Sequence, residues 1–262
     1  MTNCNTNNVK IYSAMHKPHP VIKNCDYLVP IHVGAGQSDI PTDTISPYAI
    51  RDDSGKNISS KNSGYCELTG QYWVWKNTRS DYVGFFHYRR YLTFRRIRLT
   101  YKRQKPGFLD KSYARFLLGM SPIRLNSLLE DKRVILPPPT YLEASNLYDQ
   151  YALAHNPSDL DLALGFLLSA DIRWNQYVER LKTSPSGYFK NIFIASWDFF
   201  DGWMRFIMPI LEHVEGNKID IFRDQDQSRL YGFLAERLFN IYLWKMQDDE
   251  GYSVLNFPIV KF

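Results

Sequence analysis

Residues 65–91 read YCELTGQYWVWKNTRSDYVGFFHYRRY, and this segment sets the architecture expected for the chain. Its first half has the composition of a buried helix, which we predict over 64–77 with Ser63 as the N-cap. Its second half, from Asp81 onward, is typical of a buried β-strand. Aromatic packing accounts for both elements, but it does not require the polar cluster that follows the strand: His87, Tyr88, Arg89 and Arg90.

Outward from this segment, strand and helix patterns alternate along the chain. Apolar and β-branched runs predict further strands over 9–15, 27–36, 133–139 and 188–196. Apolar spacing with a helical period predicts helices over 108–120, 145–155, 159–181, 201–215 and 227–246. The alternation indicates an α/β fold with a mostly parallel central sheet flanked by helices. No linker-like composition divides the chain, so we predict one domain over 1–262.

Composition and cysteine content limit the classes of protein to which the chain can belong. The chain has 262 residues, 44% of them hydrophobic and 23% charged, which is typical of a globular protein rather than a disordered one. Its three cysteines have no metal-ligand spacing and cannot all pair, which favours a reducing compartment. The first ten residues lack the apolar core of a signal peptide, so we expect a cytoplasmic protein.

Positive charge is concentrated in one part of the chain. Eight Lys or Arg residues and no acidic residue lie between Arg89 and Lys105. Such a segment attracts phosphates, anionic lipid headgroups or nucleic acid, although a solvated connector would have the same composition.

The cluster after the 81–87 strand suits an anionic ligand. Ligands of parallel sheets bind at the carboxyl ends of the strands, where this cluster would lie. An arginine guanidinium stays charged and binds phosphate oxygens with two parallel hydrogen bonds. Two arginines beside His87 therefore favour a diphosphate site, and surface ion pairs of Arg89 and Arg90 are the structural alternative.

Other residues are candidates for chemistry with weaker support. Glu236 and Arg237 lie on the last predicted helix, where Glu236 could serve as a general base or form an ion pair. His155 shares a predicted helix face with Tyr151, and the two could contact an acceptor sugar or pack in the core. The pairs Asp159/Asp161 and Asp224/Asp226 precede helices, which favours helix-start roles over metal binding.

Five segments in order resemble one bacterial family: YCELTGQYWVWKN, DYVGFFHYRRY, RVILPPP, FKNIFIASWDFF and RLYGFLAERLFNIYL. The chain is similar, over about 9–245, to the capsular-polysaccharide and O-antigen glycosyltransferases long described only as a domain of unknown function. Some members of that family transfer galactofuranose from a UDP donor with inversion of configuration. The resemblance implies a GT-A-like, Rossmann-related fold.

The resemblance also implies roles for individual residues. The His-Tyr-Arg-Arg cluster would stand where other GT-A enzymes carry a metal-binding Asp-x-Asp, so we expect no required metal ion, although Mn²⁺ or Mg²⁺ could assist. Further donor contacts would come from Asp52, Asp53, Asn57 and Glu67. Independently of the resemblance, we expect acceptor contacts from Tyr151, His155, Asn191 and Arg237. Glu236 is our first candidate for the base, followed by Asp198 and Asp159.

The sequence departs from the family pattern in one long segment. A basic insertion over about 92–120 separates the arginine pair from the 133–139 strand. We expect it to lie on the anionic inner membrane face, where a lipid-linked acceptor glycan would be presented.

The leading hypothesis is therefore an inverting glycosyltransferase that uses a UDP-sugar donor and a capsule, O-antigen or lipopolysaccharide acceptor. The basic segment, with its interleaved tyrosine and phenylalanine residues, leaves a nucleic-acid-binding protein as the rival from another class. An inactive scaffold in a polysaccharide-assembly complex is the third alternative.

Overall fold

The computed structural model describes residues 7–18, 22–23, 25–95, 109–110, 118–217 and 227–261. In these ranges the strands are β1 (Val9–Met15), β2 (Ile22–Lys23), β3 (Leu28–His32), β4 (Ile50–Arg51), β5 (Tyr82–His87), β6 (Arg90–Leu92), β7 (Leu109–Asp110), β8 (Arg133–Leu136), β9 (Thr140–Tyr141), β10 (Ser186–Gly187), β11 (Phe193–Ser196), β12 (Ser253–Asn256) and β13 (Ile259–Lys261).

The α-helices of the same ranges are α1 (Thr42–Ile45), α2 (Asn62–Tyr65), α3 (Leu68–Asn77), α4 (Pro122–Leu129), α5 (Leu147–Ala154), α6 (Pro157–Ala170), α7 (Asn175–Leu181), α8 (Trp197–Asn217) and α9 (Leu230–Glu250). Short 3₁₀ turns precede three of them, over Ser59–Lys61, Ile172–Trp174 and Gln227–Arg229. None of the helices in the described ranges is long and apolar enough to cross a bilayer.

One mixed sheet organises the fold in the order β12-β8-β11-β5-β1-β3-β4, and β6 joins β5 to β13 at the side. Strands β5, β1, β3 and β4 run parallel to one another, as do β12 and β8. Strand β11 runs antiparallel to both of its neighbours. The predicted mostly parallel central sheet is confirmed, with β11 as the exception inside it.

Helices cover both faces of the sheet because successive side chains of a strand point to opposite faces. On one face, Phe85 packs with a large cluster that includes Trp203 of α8 and Leu238 of α9. On the other face, Phe86 belongs to a second cluster that includes Leu125 of α4. Strand β5 is buried on both sides, which explains its continuous apolar sequence.

Several predicted elements have different boundaries in the structure. The helix predicted over 64–77 is interrupted between α2 and α3 at Cys66, whose φ of 51° and ψ of −132° do not belong to a helix. Ser63 lies inside α2, so its N-cap role was wrong. The helix predicted over 159–181 ends at Ala170, because Asp171 is extended and caps the next turn through the amide of Arg173.

Other predictions are confirmed in part. The strand predicted over 188–196 is shortened to β11, since Lys190 and Asn191 form a left-handed turn before it. The helix predicted over 108–120 was wrong at Leu109–Asp110, which pairs with β2, and residues 111–117 lie outside the described ranges. Asp159 lies in the first turn of α6, as predicted for a helix-start acid, whereas Asp224 and Asp226 lie outside the described residues.

Candidate functional site

The carboxyl ends of the central parallel strands meet at one edge of the sheet. In the β1–β5 register Ala14 is opposite His87, and in the β1–β3 register Met15 is opposite His32. Because β11 runs the other way, the turn at Lys190–Asn191 that precedes it reaches the same edge. This edge therefore brings together residues that are more than 170 positions apart in the sequence, such as Ala14 and Lys190.

Two turns at this edge have unfavourable backbone conformations. Cys66, directly before Glu67, has a positive φ of 51°. Lys190 and Asn191 follow each other with φ values of 80° and 51°. Non-glycine residues rarely adopt these conformations, and strain of this kind is found preferentially at functional sites.

Glu67 and His87 face each other across the edge. The Nε2 atom of His87 lies 3.3 Å from Oε1 of Glu67. Both side chains line a small cavity together with Lys190 and Asn191. Burial raises the pKa of the Glu67 carboxyl, and the charge of Glu236 acts in the same direction.

His87 does not supply the positive charge expected of it. Its pKa is lowered to about 3, first by burial and then by the charges of Arg90 and Arg89. The imidazole is therefore neutral near pH 7 and acts as a dipole rather than as a cation. Its Nδ1 atom is buried without a hydrogen-bond partner among the described residues, which leaves one ring nitrogen available to a ligand.

The arginines differ in exposure. Arg90 begins β6 directly opposite His87, and its buried Nε atom has no hydrogen-bond partner in the described part of the chain. Arg89 is exposed, with its guanidinium 5.4 Å from the ring centre of Tyr88. Tyr88 itself is buried, and its ring packs against that of His87 in a tilted arrangement with 4.3 Å between ring centres.

Sequence reasoning missed two cations and one histidine at this edge. Nε of Arg229, in the 3₁₀ turn before α9, lies 3.4 Å from Sγ of Cys66, next to Glu67. Lys190 lines the Glu67–His87 cavity, and His16 follows the end of β1 with its ring 6.4 Å from that of His87. Arg229 opens the motif RLYGFLAER, and this position was the one sequence signal that could have found it.

Glu236 and the predicted acceptor residues lie beside this edge on α5, α9 and the Lys190–Asn191 turn. Oε1 of Glu236 accepts a 2.7 Å hydrogen bond from the Lys190 amide, and Oε2 accepts one of 3.1 Å from Arg237. Arg237 is buried and also donates to Gln150 on α5.

Aromatic rings surround the Arg237 guanidinium and continue to His155. Arg237 lies 5.3 Å from the ring of Tyr151 and 5.1 Å from that of Phe189. His155 stacks on Phe233 of α9, with 4.1 Å between ring centres. Asn191 connects the two regions, since it lines both the Glu67–His87 cavity and a second cavity that includes Glu236.

The three polar residues predicted from the 51–59 loop have partners inside the protein. Asp52 is fully buried, and its carboxylate accepts hydrogen bonds from the amides of Gly34 and Ala35 and from the Ser59 hydroxyl. Asp53 forms a two-point ion pair with Arg51. Asn57 bonds to the backbone of its own loop. Asp52 therefore shapes the loop after β3, and its carboxylate oxygens have no direct access to a ligand.

The reserve candidates for the base are Asp198 and Asp159, and the sheet register places Asp198 away from this edge. Asp198 follows β11 at the opposite edge of the sheet, because Ser196 pairs with Tyr82 at the start of β5. Five residues of strand, roughly 16 Å, separate that position from His87. Asp198 is thus too distant to act at the same site, and its side chain faces solvent beside Arg79. Asp159 is buried in the first turn of α6.

The described residues contain no group of three His, Cys, Asp or Glu side chains spaced to hold a metal ion. The carboxyl edge instead carries three arginines, one lysine, two neutral histidines and two carboxylates: Arg89, Arg90, Arg229, Lys190, His16, His87, Glu67 and Glu236. The pKa of His16, like that of His87, is lowered by burial and by neighbouring cations, Lys17 foremost. Such an arrangement can bind a multiply charged anion while it holds carboxylates nearby.

The structure is similar to one described as the WbbM bifunctional glycosyltransferase in its apo form, with a TM-score of 0.86 and 31% sequence identity. The similarity covers 97% of this chain and 45% of that one, so the chain spans less than half the length of this relative. No curated protein sequence matches the chain. A family model described as a domain of unknown function, DUF4422, matches residues 10–247. The chain therefore belongs to the DUF4422 family.

Proposed function

We propose that this chain is a glycosyltransferase that binds a UDP-sugar with its diphosphate against Arg89, Arg90 and Arg229. The observation that carries the proposal is Arg90, whose buried Nε has no partner among the described residues at the carboxyl edge of the sheet. A buried guanidinium nitrogen without a partner is unfavourable, and a phosphate oxygen would satisfy it. The similarity to a bifunctional glycosyltransferase supports the reaction class.

The proposed reaction inverts the configuration of the transferred sugar, and galactofuranose is the expected sugar. The acceptor is a growing capsule, O-antigen or lipopolysaccharide glycan. We place it on the side of the edge formed by α5 and α9, at the partly exposed His155 and Asn191; Tyr151 and Arg237, also expected to contact it, are buried and support this surface from within. The stacked rings of His155 and Phe233 suit the apolar face of a sugar.

Cationic side chains neutralise the leaving diphosphate in this proposal, which predicts that EDTA leaves transfer unchanged. We further expect the chain to be cytoplasmic and peripheral to the inner membrane through the 92–120 insertion. Residues 96–108 and 111–117 of that insertion lie outside the described ranges.

Ligand-induced stabilisation tests the donor site. At 100 times its dissociation constant, UDP should stabilise the chain by ~2.7 kcal/mol, and uridine, which lacks phosphates, should give a much smaller effect at the same concentration. Acceptor-dependent release of UDP from UDP-galactofuranose, with and without EDTA, then measures transfer. Equal stabilisation by uridine and UDP would contradict the diphosphate site. Salt-sensitive oligonucleotide binding without any UDP effect would favour the nucleic-acid rival.

A further inference from the structure

We propose that Glu67 accepts the proton from the acceptor hydroxyl, and that Glu236 positions the Lys190–Asn191 turn. This inference rests on the proposed inverting transfer and assigns roles within the same site. The sequence favours Glu236 as the base, so the proposal exchanges the expected roles of the two carboxylates.

Both oxygens of Glu236 are already used inside the protein. Oε1 accepts from the amide of Lys190 at 2.7 Å, and Oε2 accepts from Arg237 at 3.1 Å. The buried Arg237 has Glu236 as its charge partner, and a buried charge that loses its partner is costly. Glu236 is therefore committed to contacts inside the protein.

The bond from Lys190 to Glu236 has a structural purpose. Lys190 and Asn191 both have positive φ, a conformation that is unfavourable for an L-residue. A short hydrogen bond to a carboxylate offsets part of this cost and holds the turn against the sheet edge. Asn191 thereby stays in the lining of the Glu67–His87 cavity.

Glu67 has the opposite surroundings. In the described part of the chain, no Lys or Arg nitrogen lies within ion-pair distance of its carboxylate, which contacts the neutral His87 at 3.3 Å. Burial is the largest influence on the pKa of Glu67 and raises it; the charge of Glu236 also raises it, while its backbone hydrogen bond and the charges of Arg229 and Arg90 lower it. Its side chain is 21% exposed, so a ligand can reach a carboxylate that is otherwise removed from water. The raised pKa that follows from burial makes Glu67 a stronger base than an ordinary glutamate.

The cavity beside Glu67 suits a hydroxyl group. Its volume is about 10 Å³, near the lower limit for one water molecule, so a hydroxyl enters it and a sugar ring stays outside. The neighbouring Nδ1 of His87 is buried without a partner among the described residues. A hydroxyl in this cavity lies beside the Glu67 carboxylate, and Nε2 of His87 contacts the same carboxylate at 3.3 Å.

The backbone conformation of Cys66 also supports a role for Glu67. Its positive φ separates α2 from α3 and turns the following residue, Glu67, toward the strand ends. In an uninterrupted helix, successive side chains are about 100° apart around the helix axis. The side chain of Glu67 would then point in a different direction. Strain of this kind persists where the surrounding structure and the function maintain it.

The transfer step balances with these groups alone. The acceptor oxygen forms a bond to the anomeric carbon and gives its proton to a Glu67 carboxylate oxygen. The bond between the anomeric carbon and the diphosphate oxygen breaks, and its electron pair stays on UDP, where Arg90 and Arg229 lie closest to the charge. Glu67 then releases the proton to solvent through its exposed side.

The test compares Glu67→Gln with Glu236→Gln, two isosteric changes that remove the same charge. We expect Glu67→Gln to lower the kcat of acceptor-dependent UDP release 10²–10⁴-fold, the usual contribution of a general base. UDP affinity and melting temperature should stay close to those of the wild type. Glu236→Gln should lower the melting temperature and raise the acceptor KM, with kcat reduced by less than about tenfold.

Two further measurements separate a base from a structural carboxylate. In the wild type, kcat/KM should rise with pH through a pKa above the ordinary value of 4.5, as Glu67 ionises. Formate should restore part of the activity of Glu67→Ala, because it supplies a carboxylate to the space left by the side chain. Glu67→Asp retains a carboxylate and should keep the pH dependence at reduced kcat, which covers the case in which Gln or Ala impairs folding.

The outcomes are distinct. If Glu67→Gln keeps kcat within tenfold of the wild type, or if Glu236→Gln alone loses it, the assignment of Glu67 is overturned while the proposed function stands. If the wild type releases no UDP from any UDP-sugar and is not stabilised by UDP, the proposed function falls and the inference falls with it.

Discussion

At the scale of single residues, burial determines the charge of the site. His87 is 8% exposed and has two arginines after it in sequence, which together keep it neutral. Glu67 is moved toward its neutral form by the same burial. The permanent charge at the edge therefore comes from arginine and lysine, as binding of a diphosphate near pH 7 would require.

Replacing Arg90 by Ala should weaken UDP binding by more than the effect of the substitution on the stability of the fold would explain. Removing a charge-assisted contact of about 1.5–3 kcal/mol corresponds to a loss of about 10–150-fold in affinity. Titration calorimetry with UDP measures this effect for Arg90→Ala. Arg173→Ala is the matched control, because Arg173 is an exposed arginine paired with Asp171 in the 3₁₀ turn before α7. Equal affinities of the two variants would remove Arg90 from the donor site.

The lowered pKa of His87 predicts acid sensitivity. Below the unfolded pKa of 6.5 the unfolded chain binds a proton at this position, whereas the folded chain does not until about pH 3. Stability is thus retained above pH 6.5 and is lost as the pH falls, by up to about 1.4 kcal/mol per pH unit. Urea denaturation at pH 7 and pH 5 should show a smaller loss for His87→Gln than for the wild type, by about 2 kcal/mol. Identical losses would mean that His87 titrates normally.

At the scale of elements, helix α9 connects the two halves of the site. Phe233, Glu236, Arg237 and Asn240 follow the three- and four-residue spacing of one helix face. They contact α5 and the segment around residues 188–191. Arg229 precedes the same helix and reaches Cys66. The helix therefore positions donor-side and acceptor-side groups relative to each other.

Helix α3 lies close to β3, and a pair of glycine substitutions tests this contact. A Cβ atom at Gly70 would lie 2.8 Å from Cγ1 of Val33, so Gly70→Ala should destabilise the protein by about 1–3 kcal/mol. Gly165 is exposed in the middle of α6, and a Cβ there meets nothing within 4 Å. Gly165→Ala should stabilise by about 0.5–1 kcal/mol through helix propensity. Thermal denaturation should show a lower melting temperature for Gly70→Ala and a higher one for Gly165→Ala. Melting temperatures that shift in the same direction would contradict the close contact.

At the scale of the whole molecule, the end of the described chain supports the site. Strand β13 pairs with β6, where Lys261 is opposite Arg90, and β12 pairs with β8. A chain that ends at Gly251 would lose both pairings. We expect a lower melting temperature and weaker UDP binding, because β6 would be an unpaired edge on its outer side. Unchanged UDP affinity in this truncation would show that Arg90 is held by β5 alone.

The fold was predictable from sequence where one element was long and strongly patterned. Val9–Met15, Tyr82–His87 and α8 were found because a buried strand and an amphipathic helix have distinct periods. The break at Cys66 and the left-handed turn at Lys190 were missed, because no glycine or proline marks either position. Strands β12 and β13 were missed since short strands at the end of a chain carry little periodic signal.

The site was predictable in part. The His-Tyr-Arg-Arg cluster stood out because arginines after an apolar strand are not required by packing. Glu67 was named only through the family resemblance, as a donor contact. Arg229 and Lys190 could not be found from their own surroundings in the sequence, since lysine and arginine are common on any surface. Asp198 was misplaced because the antiparallel direction of β11, which puts its far end at the opposite edge, leaves no mark in the sequence.

The sequence alone determined the class of fold, the end of β5 as the place of greatest chemical interest, and the family, because these depend on local patterns and ordered motifs. The tertiary structure decided which charges persist and which side chains meet. His87 becomes neutral and Glu67 harder to ionise only when other elements exclude water from them. Oε1 of Glu236 is hydrogen-bonded because the amide of Lys190, 46 residues earlier in the chain, lies next to it in the fold. Protonation and contact depend on burial and on distance in space, and neither is a property of sequence neighbours.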